Sequence, residues 1–428
     1  LKNYLDPNLI KLPKSLESVT DIKDDEVDPR DAGLKDATIQ KVWQSVEKLY
    51  RSRTMPGISL AVRHKGQLVI NRAIGHAHGN GPKDSGIDAM PMKADTPVCL
   101  FSASKAITAM MVHKLAEEGL IHLHDPVAEY IPEFAVRGKQ YITVGQVLSH
   151  KGGIPTLKQD DLDPSILWDW DACVDLLCQA WPRKDAGTAQ AYHAITGGFV
   201  LGEVMRRASG QELPDILRSR VAGPLGARHM TFGIPEGERD HAALNYFIGR
   251  PEPFPLDLVV KRALGATFDR VCEVSNSPEF MDAVIPAGNI YATAEEACNF
   301  FQCLLNSGSY NGKRLFERAT VVRAISEASA RQFDRTLLVP LRTSEGFMLG
   351  DYPFGMYGPR TSEAFGHLGF ISIFCWADPS RDISVALLTT GKPLIAPHLV
   401  PLMGFLRTIN NAFPKFEEPA QRTASAAG

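Results

Sequence analysis

The chain has 428 residues, of which 44% are hydrophobic and 22% charged, and a formal net charge of -3. That balance suits a globular protein of two or three domains or one large two-lobed fold, and it argues against a broad surface for nucleic acid or anionic lipid. No apolar run reaches the roughly 18 residues of a spanning helix, and the cysteines are scattered without a Cys-x-x-Cys pair, which argues against a disulfide framework or a clustered metal site.

Residues 1–36 read as a polar arm. Prolines at 7, 13 and 29 and the acidic run 21–28 argue against a packed element. No apolar signal core is present; a chain that starts at Leu1 is compatible with loss of an upstream segment, and free thiols favour a cytoplasmic location. Ile39, Val42, Trp43, Val46, Leu49 and Tyr50 recur at helical spacing and predict an amphipathic helix. Ile58, Leu60 and Val62 then alternate, Lys65-Gly66 marks a turn, and 68–74 returns as the second strand of a hairpin. A loop is expected over 75–93.

The apolar run 98–101 leads into a helix over 102–118, closed by Gly119. Residues 120–280 carry mostly helical patterns broken by Pro, Gly and Asp. Helices are expected near 294–305 and 317–330, strands over 370–376 and 383–389 with a turn at 377–382, and a last helix over 398–411. Hairpins at both ends favour an antiparallel sheet, because parallel strands need long crossovers. The expected class is therefore α/β (α+β). Residues 37–113 and 281–428 would build a lobe with an antiparallel sheet flanked by helices, and residues 114–280 a second, mostly helical lobe. A site is expected in the cleft between them.

The chemistry centres on Ser102-Ala103-Ser104-Lys105. A serine at a helix start lies near unpaired N–H groups and the positive end of the helix dipole. A lysine one turn later can bring its amine back to the hydroxyl, and a neutral amine can take the proton that makes serine a nucleophile. On these residues alone, an N-cap Ser102 beside a solvated Lys105 accounts for the same pattern. A second match, Ser45-Val46-Glu47-Lys48, falls opposite the apolar stripe of the first helix and is expected to be solvated.

Further blocks follow in order: residues 100–109 and 117–127, Ile142 to Ile154, Gly187 to Gly198, Pro286 to Glu296, and Phe365-Gly-His-Leu-Gly-Phe370. Together, over about residues 37–410, they resemble the serine β-lactamase and penicillin-binding-protein superfamily. Within it they look most like the class C β-lactamase branch and its esterase relatives, the family VIII carboxylesterases. The resemblance implies Ser102 as nucleophile, Lys105 as its proton partner and Tyr192 as a second base. An ammonium on Lys105 would favour the Tyr192 phenolate. The N–H groups of Ser102 and Phe370 would form the oxyanion hole. His367, Leu368 and Gly369 fall where the family carries Lys-Thr-Gly beside the substrate.

Two departures shape the functional expectation. Ala194 replaces the asparagine of the family's Tyr-x-Asn, and His367 replaces the lysine that attracts a penicillin carboxylate. Both losses weaken a dedicated β-lactamase and leave acylation untouched, so a carboxylesterase acting on small esters is favoured. A β-lactamase, a D-amino-acid peptidase, an acyltransferase and a non-catalytic scaffold remain the alternatives. No cofactor, metal, nucleic-acid or membrane partner is implied. Phe347, Tyr352, Phe354 and Tyr357, with Trp168 and Trp170, either line an apolar pocket or simply pack. Ser149-His150 is expected to be scaffold. Neither Gly-x-Ser-x-Gly nor a P-loop occurs, which argues against an α/β-hydrolase elbow or nucleotide chemistry.

Overall fold

The apolar stripe of the first predicted helix forms α1 (Asp36–Tyr50), and all six stripe residues are buried. Ser45 departs from expectation: it is buried, and its hydroxyl donates to the Val42 carbonyl at 2.6 Å. A hydroxyl satisfied by its own helix can sit inside the packing, and Lys48 stays exposed, so this second Ser/Lys pair is not assembled. The computed structural model describes residues 8–84, 86–156, 164–250, 254, 260–261 and 265–416; Leu1 and Pro7 lie outside them.

Eight strands form the main sheet, and the first belongs to the arm. Thr20–Ile22 (β1) pairs antiparallel with β3 (Gln67–His78), which itself pairs with β2 (Gly57–His64). The arm is thus packed, contrary to expectation. Ile10 and Leu16 are buried, Glu26 pairs with Arg72 at 2.6 Å, and Asp25 accepts from the Asn71 amide. Its acidic run meets cationic and amide groups on the β3 edge, where carboxylates are partnered rather than solvated. Lys65 and Gly66 take φ of 50° and 79°, the left-handed pair that a two-residue hairpin turn requires. β3 continues past Ile74 to pair with β4 (Met90–Pro91), so part of the expected loop is strand.

The remaining strands come from the other end of the chain: β5 (Met348–Leu349), β6 (Phe365–Gly369), β7 (Ile373–Asp378) and β8 (Ile383–Thr389). The order is β1-β3-β2-β8-β7-β6-β5, with β4 on the β3 flank. Every pairing is antiparallel, and β8 joins the two chain ends by setting Leu387 against Leu60 and Val385 against Val62. The strand expected over 370–376 is interrupted. Phe370 and Ile371 have φ of 31° and 73° and form the turn between β6 and β7.

The period of two in these strands separates two cores. Ile58, Leu60, Val62, Val385 and Leu387 pack under α1 and the last helix, α6 (Leu399–Ala412). Ala61, Ala73, Cys375 and Ala386 face the other way, where small side chains let helix α5 (Ala294–Leu305) lie close. Between the chain ends run α2 (Ser104–Glu117), α3 (Trp170–Gln179) and α4 (Thr196–Ser209). α2 is buried nearly all round, the mark of a central helix. The expected lobe boundary at 113/114 falls inside it. A small sheet of Val98–Cys99, Ile290–Ala292 and Thr231–Phe232 ties the segment before α2 to the one before α5. The helix expected over 317–330 ends early, at Arg318–Ile325. All seven cysteines are buried and none forms a disulfide, and no described helix is long and apolar enough to cross a membrane.

Burial also sets an acid limit on this fold. Desolvation pulls His113, His193 and His398 down to about 4 and His367 to about 3, all below the ordinary imidazole value. Between those values and the unfolded value near 6.5, the unfolded chain binds more protons, so stability falls as pH drops through that window. The melting temperature should decline from pH 6.5 to 4.5, before most carboxylates titrate. A flat melting temperature over that range would contradict the neutral buried histidines.

Candidate active site

Ser102 sits in a single 3-10 turn, Phe101–Ala103, just ahead of α2. The turn is fixed from several sides. The Leu100 N–H donates to the Ile290 carbonyl at 2.8 Å, and Ser104 Oγ accepts from the Ile290 N–H. Phe101 holds the left-handed φ of 45°, an uncommon state for a bulky residue that needs support from its surroundings. Its ring packs on Phe370 at 5.0 Å, and Lys392 Nζ lies 5.1 Å from its centroid. On the opposite side β6 comes so close that a Cβ on Gly369 would stand 2.1 Å from the Leu100 carbonyl oxygen. Only glycine permits that approach, which brings Phe370 next to the serine turn.

Lys105 Nζ lies 3.0 Å from Ser102 Oγ and 3.0 Å from the Ala287 carbonyl, donating to both. Thr108, one turn on, donates to the Pro286 carbonyl at 2.6 Å, so α2 is pinned to the Pro286-Ala287 segment. Gly198 of α4 supports that segment from behind: a Cβ there would meet the Ala287 nitrogen at 2.6 Å. Desolvation brings the Lys105 amine down to about 7.

Tyr192 is buried beside this pair, its ring centroid 4.9 Å from Lys105 Nζ. Burial raises its phenol above the ordinary value, with the Ser102 hydroxyl acting weakly in the opposite direction. The expected phenolate is therefore not the form this environment favours. The group brought near neutrality is the lysine, because an ammonium loses more on desolvation here than a nearby phenol can return. The Tyr192 N–H donates to Asp334 Oδ1 at 3.1 Å.

His367 is buried on β6, its Nδ1 2.7 Å from the Leu368 carbonyl, which fixes a proton on that nitrogen. Desolvation, then the charge of Lys105, lowers its pKa to about 3 and keeps the ring neutral. Its ring lies 6.2 Å from that of Tyr192. Ala194 is buried with Tyr192 and Met348 in a small apolar cluster, against which Ile195, Leu337 and Leu368 pack. Ser102, Lys105, Tyr192, Ala194, His367, Gly369 and Phe370 are thus brought together from three separate sequence blocks.

Three residues of this neighbourhood were missed or undervalued in the sequence. His150 has φ of 60°, sets its ring 4.7 Å from Tyr192 and accepts the His193 N–H at Nδ1. Burial and the neighbouring His193, Lys105 and His367 hold it well below the ordinary imidazole value. Asp334 is buried and organises the Tyr192 main chain. Lys392 is buried beneath Phe101 and donates to the Thr389 carbonyl; desolvation lowers it to about 8. Only the Ser149-His150 block left a signal.

The aromatic residues offered for a pocket do not gather here. Phe347 stacks edge-on with Phe301 and Phe365 in the core, and Tyr357 stacks on Trp376. Tyr352 and Phe354 are exposed. Trp168 and Trp170 line a different cavity of about 270 Å³ with Arg206, Glu212 and Asp282.

An antiparallel sheet with flanking helices and a Ser-x-x-Lys turn at the head of a buried helix define a serine hydrolase of the β-lactamase/transpeptidase type. The Beta-lactamase family profile matches residues 36–401, and the chain belongs to that family. It is 28% identical over 398 residues to the esterase/beta-lactamase LipL of Mycobacterium tuberculosis, a match that covers 89% of this chain and 88% of that protein. A penicillin-binding-protein homologue from Caulobacter crescentus shares the fold with a TM-score of 0.76 and 28% identity, over 89% of this chain and 98% of the other. A family VIII carboxylesterase gives a TM-score of 0.74 and 27% identity, over 87% and 98%.

Proposed function

We propose that the protein is a serine carboxylesterase that hydrolyses small carboxylic esters through an acyl-enzyme on Ser102. The observation that carries this reading is the Lys105 amine, 3.0 Å from Ser102 Oγ and desolvated to about 7, so that a large fraction is neutral at physiological pH. Lys105 takes the proton as Oγ bonds to the ester carbonyl carbon, and the carbonyl electrons move onto oxygen. The N–H groups of Ser102 and Phe370 receive that oxyanion. Its collapse breaks the bond to the alcohol, which leaves with the proton held on Lys105, relayed through the Tyr192 hydroxyl. Water then loses a proton along the same route and attacks the acyl carbon. Ser102 Oγ departs and recovers its proton, and the acid is released.

The choice of ester over lactam rests on recognition. Ala194 and its apolar neighbours offer no amide to hold an acylamino side chain, and a neutral His367 supplies no cation for a carboxylate. An ester needs neither. Esterases among the relatives agree with this reading, and so does the family VIII carboxylesterase structure. The test is treatment with a fluorophosphonate followed by intact mass and peptide mapping, alongside rates on p-nitrophenyl acetate and a chromogenic cephalosporin. A single adduct on the Ser102 peptide and faster ester turnover are expected. Cephalosporin turnover as fast as that of the ester would favour a β-lactamase, and no adduct would favour a scaffold.

A further inference from the structure

We propose that the turn at residues 334–339 extends this site as an apolar subsite for the alkyl chain of an ester. The inference rests on the ester reading above and adds a substrate class to it. The turn joins two short antiparallel strands, Gln332–Phe333 and Pro340–Leu341. Nothing in the family blocks of the sequence includes it.

The turn is bound to the Tyr192 segment as one body. Asp334, fully buried, accepts at Oδ1 from the N–H groups of Tyr192, Thr336 and Leu337 at 3.1, 2.9 and 2.9 Å. Its Oδ2 accepts from the Gln190 amide at 3.4 Å. The Arg335 N–H donates to the Gln190 carbonyl, Gln332 accepts from the Gln190 N–H, and Arg335 pairs with Asp185. A carboxylate with four donors holds the turn against the site far more firmly than exposed loop contacts would.

What the turn presents is apolar. Leu337 packs on the cluster of Tyr192, Ala194 and Met348. The next two residues, Leu338 and Val339, are 49% and 38% exposed, and Phe333 at the other arm of the turn is 57% exposed. Leu338 also holds φ of 58°. An L-residue in the left-handed region is strained, and asparagine or glycine would relieve that strain. A half-exposed leucine there buries little surface in return, so folding does not account for it. Apolar side chains on a turn whose Leu337 packs on the Tyr192 cluster fit an uncharged alkyl chain.

Two substrate series separate the possible sources of that chain. p-Nitrophenyl esters from acetate to decanoate vary the acyl side, and alkyl acetates from ethyl to decyl vary the alcohol side. Labelling of Ser102 by short- and long-alkyl fluorophosphonates reads the same preference without ester turnover. In the wild type, kcat/KM should rise with chain length in one ester series, and the long-alkyl probe should label faster. Leu338→Asn combined with Val339→Ser should lower the long-to-short ratio by about tenfold. Leu338→Asn alone should raise the melting temperature while lowering the ratio, whereas Leu338→Met should keep the ratio. A double variant with the wild-type ratio in both ester series and in labelling overturns the subsite. If esters are not turned over but the labelling preference is present and lost in the double variant, the subsite stands and the ester reading falls.

Discussion

Ser102→Ala should abolish hydrolysis of p-nitrophenyl acetate, lowering kcat by about ten-thousand-fold or more, with the melting temperature nearly unchanged. The hydroxyl is half-buried, and Lys105 keeps its bond to the Ala287 carbonyl without it. Loss of the oxygen therefore removes the atom proposed to form the acyl-enzyme and little of the packing. Fluorophosphonate labelling should vanish in the same variant. Full ester turnover by Ser102→Ala would place the chemistry elsewhere on the molecule and overturn the mechanism.

Lys105→Ala should lower the rate of acylation by about a hundred- to ten-thousand-fold, the range of a lost general base. The cause is specific to this pocket: the amine, desolvated to about 7, is the group near Ser102 poised to be unprotonated at neutral pH, while burial holds Tyr192 in its phenol form. The sign of the pH dependence follows. A base must be unprotonated, so kcat/KM on an uncharged ester should rise about tenfold per pH unit below about 7 and level off above it. The Lys105→Ala variant should lose that limb. Rapid-mixing measurement of the acylation burst from pH 5.5 to 9 reads both effects, and an unchanged burst rate in the variant would remove Lys105 from the proton path.

The site was legible in the sequence where it is local. Ser102 and Lys105 stand one helical turn apart, and that spacing is sufficient to bring amine and hydroxyl together once a helix follows. Tyr192, His367, Gly369 and Phe370 were reached through ordered blocks of family resemblance, since no periodicity connects residues that lie 90 and 265 positions from Ser102. Asp334 left no such mark. Its role depends on four donors from Gln190, Tyr192, Thr336 and Leu337, two of them about 140 residues away in the chain. His150, read as scaffold, was undervalued and Lys392 was missed because the rings they meet, Tyr192 and Phe101, are distant in sequence.

The sequence by itself determined the elements whose stabilisation is periodic or near in the chain. These are the stripe of α1, the alternation and Lys65-Gly66 turn of β2 and β3, the antiparallel class of the sheet, and the Ser102–Lys105 spacing. Tertiary structure decided the rest. It turned the acidic arm into a sheet edge by setting Glu26 and Asp25 against Arg72 and Asn71. It broke the strand at Phe370, where β6 must turn beside the serine. It also chose the proton state of the site, making Lys105 rather than Tyr192 the group near neutrality. Hydrophobic period and turn chemistry act between neighbours in sequence, whereas desolvation and charge act between neighbours in space, and only packing assigns those.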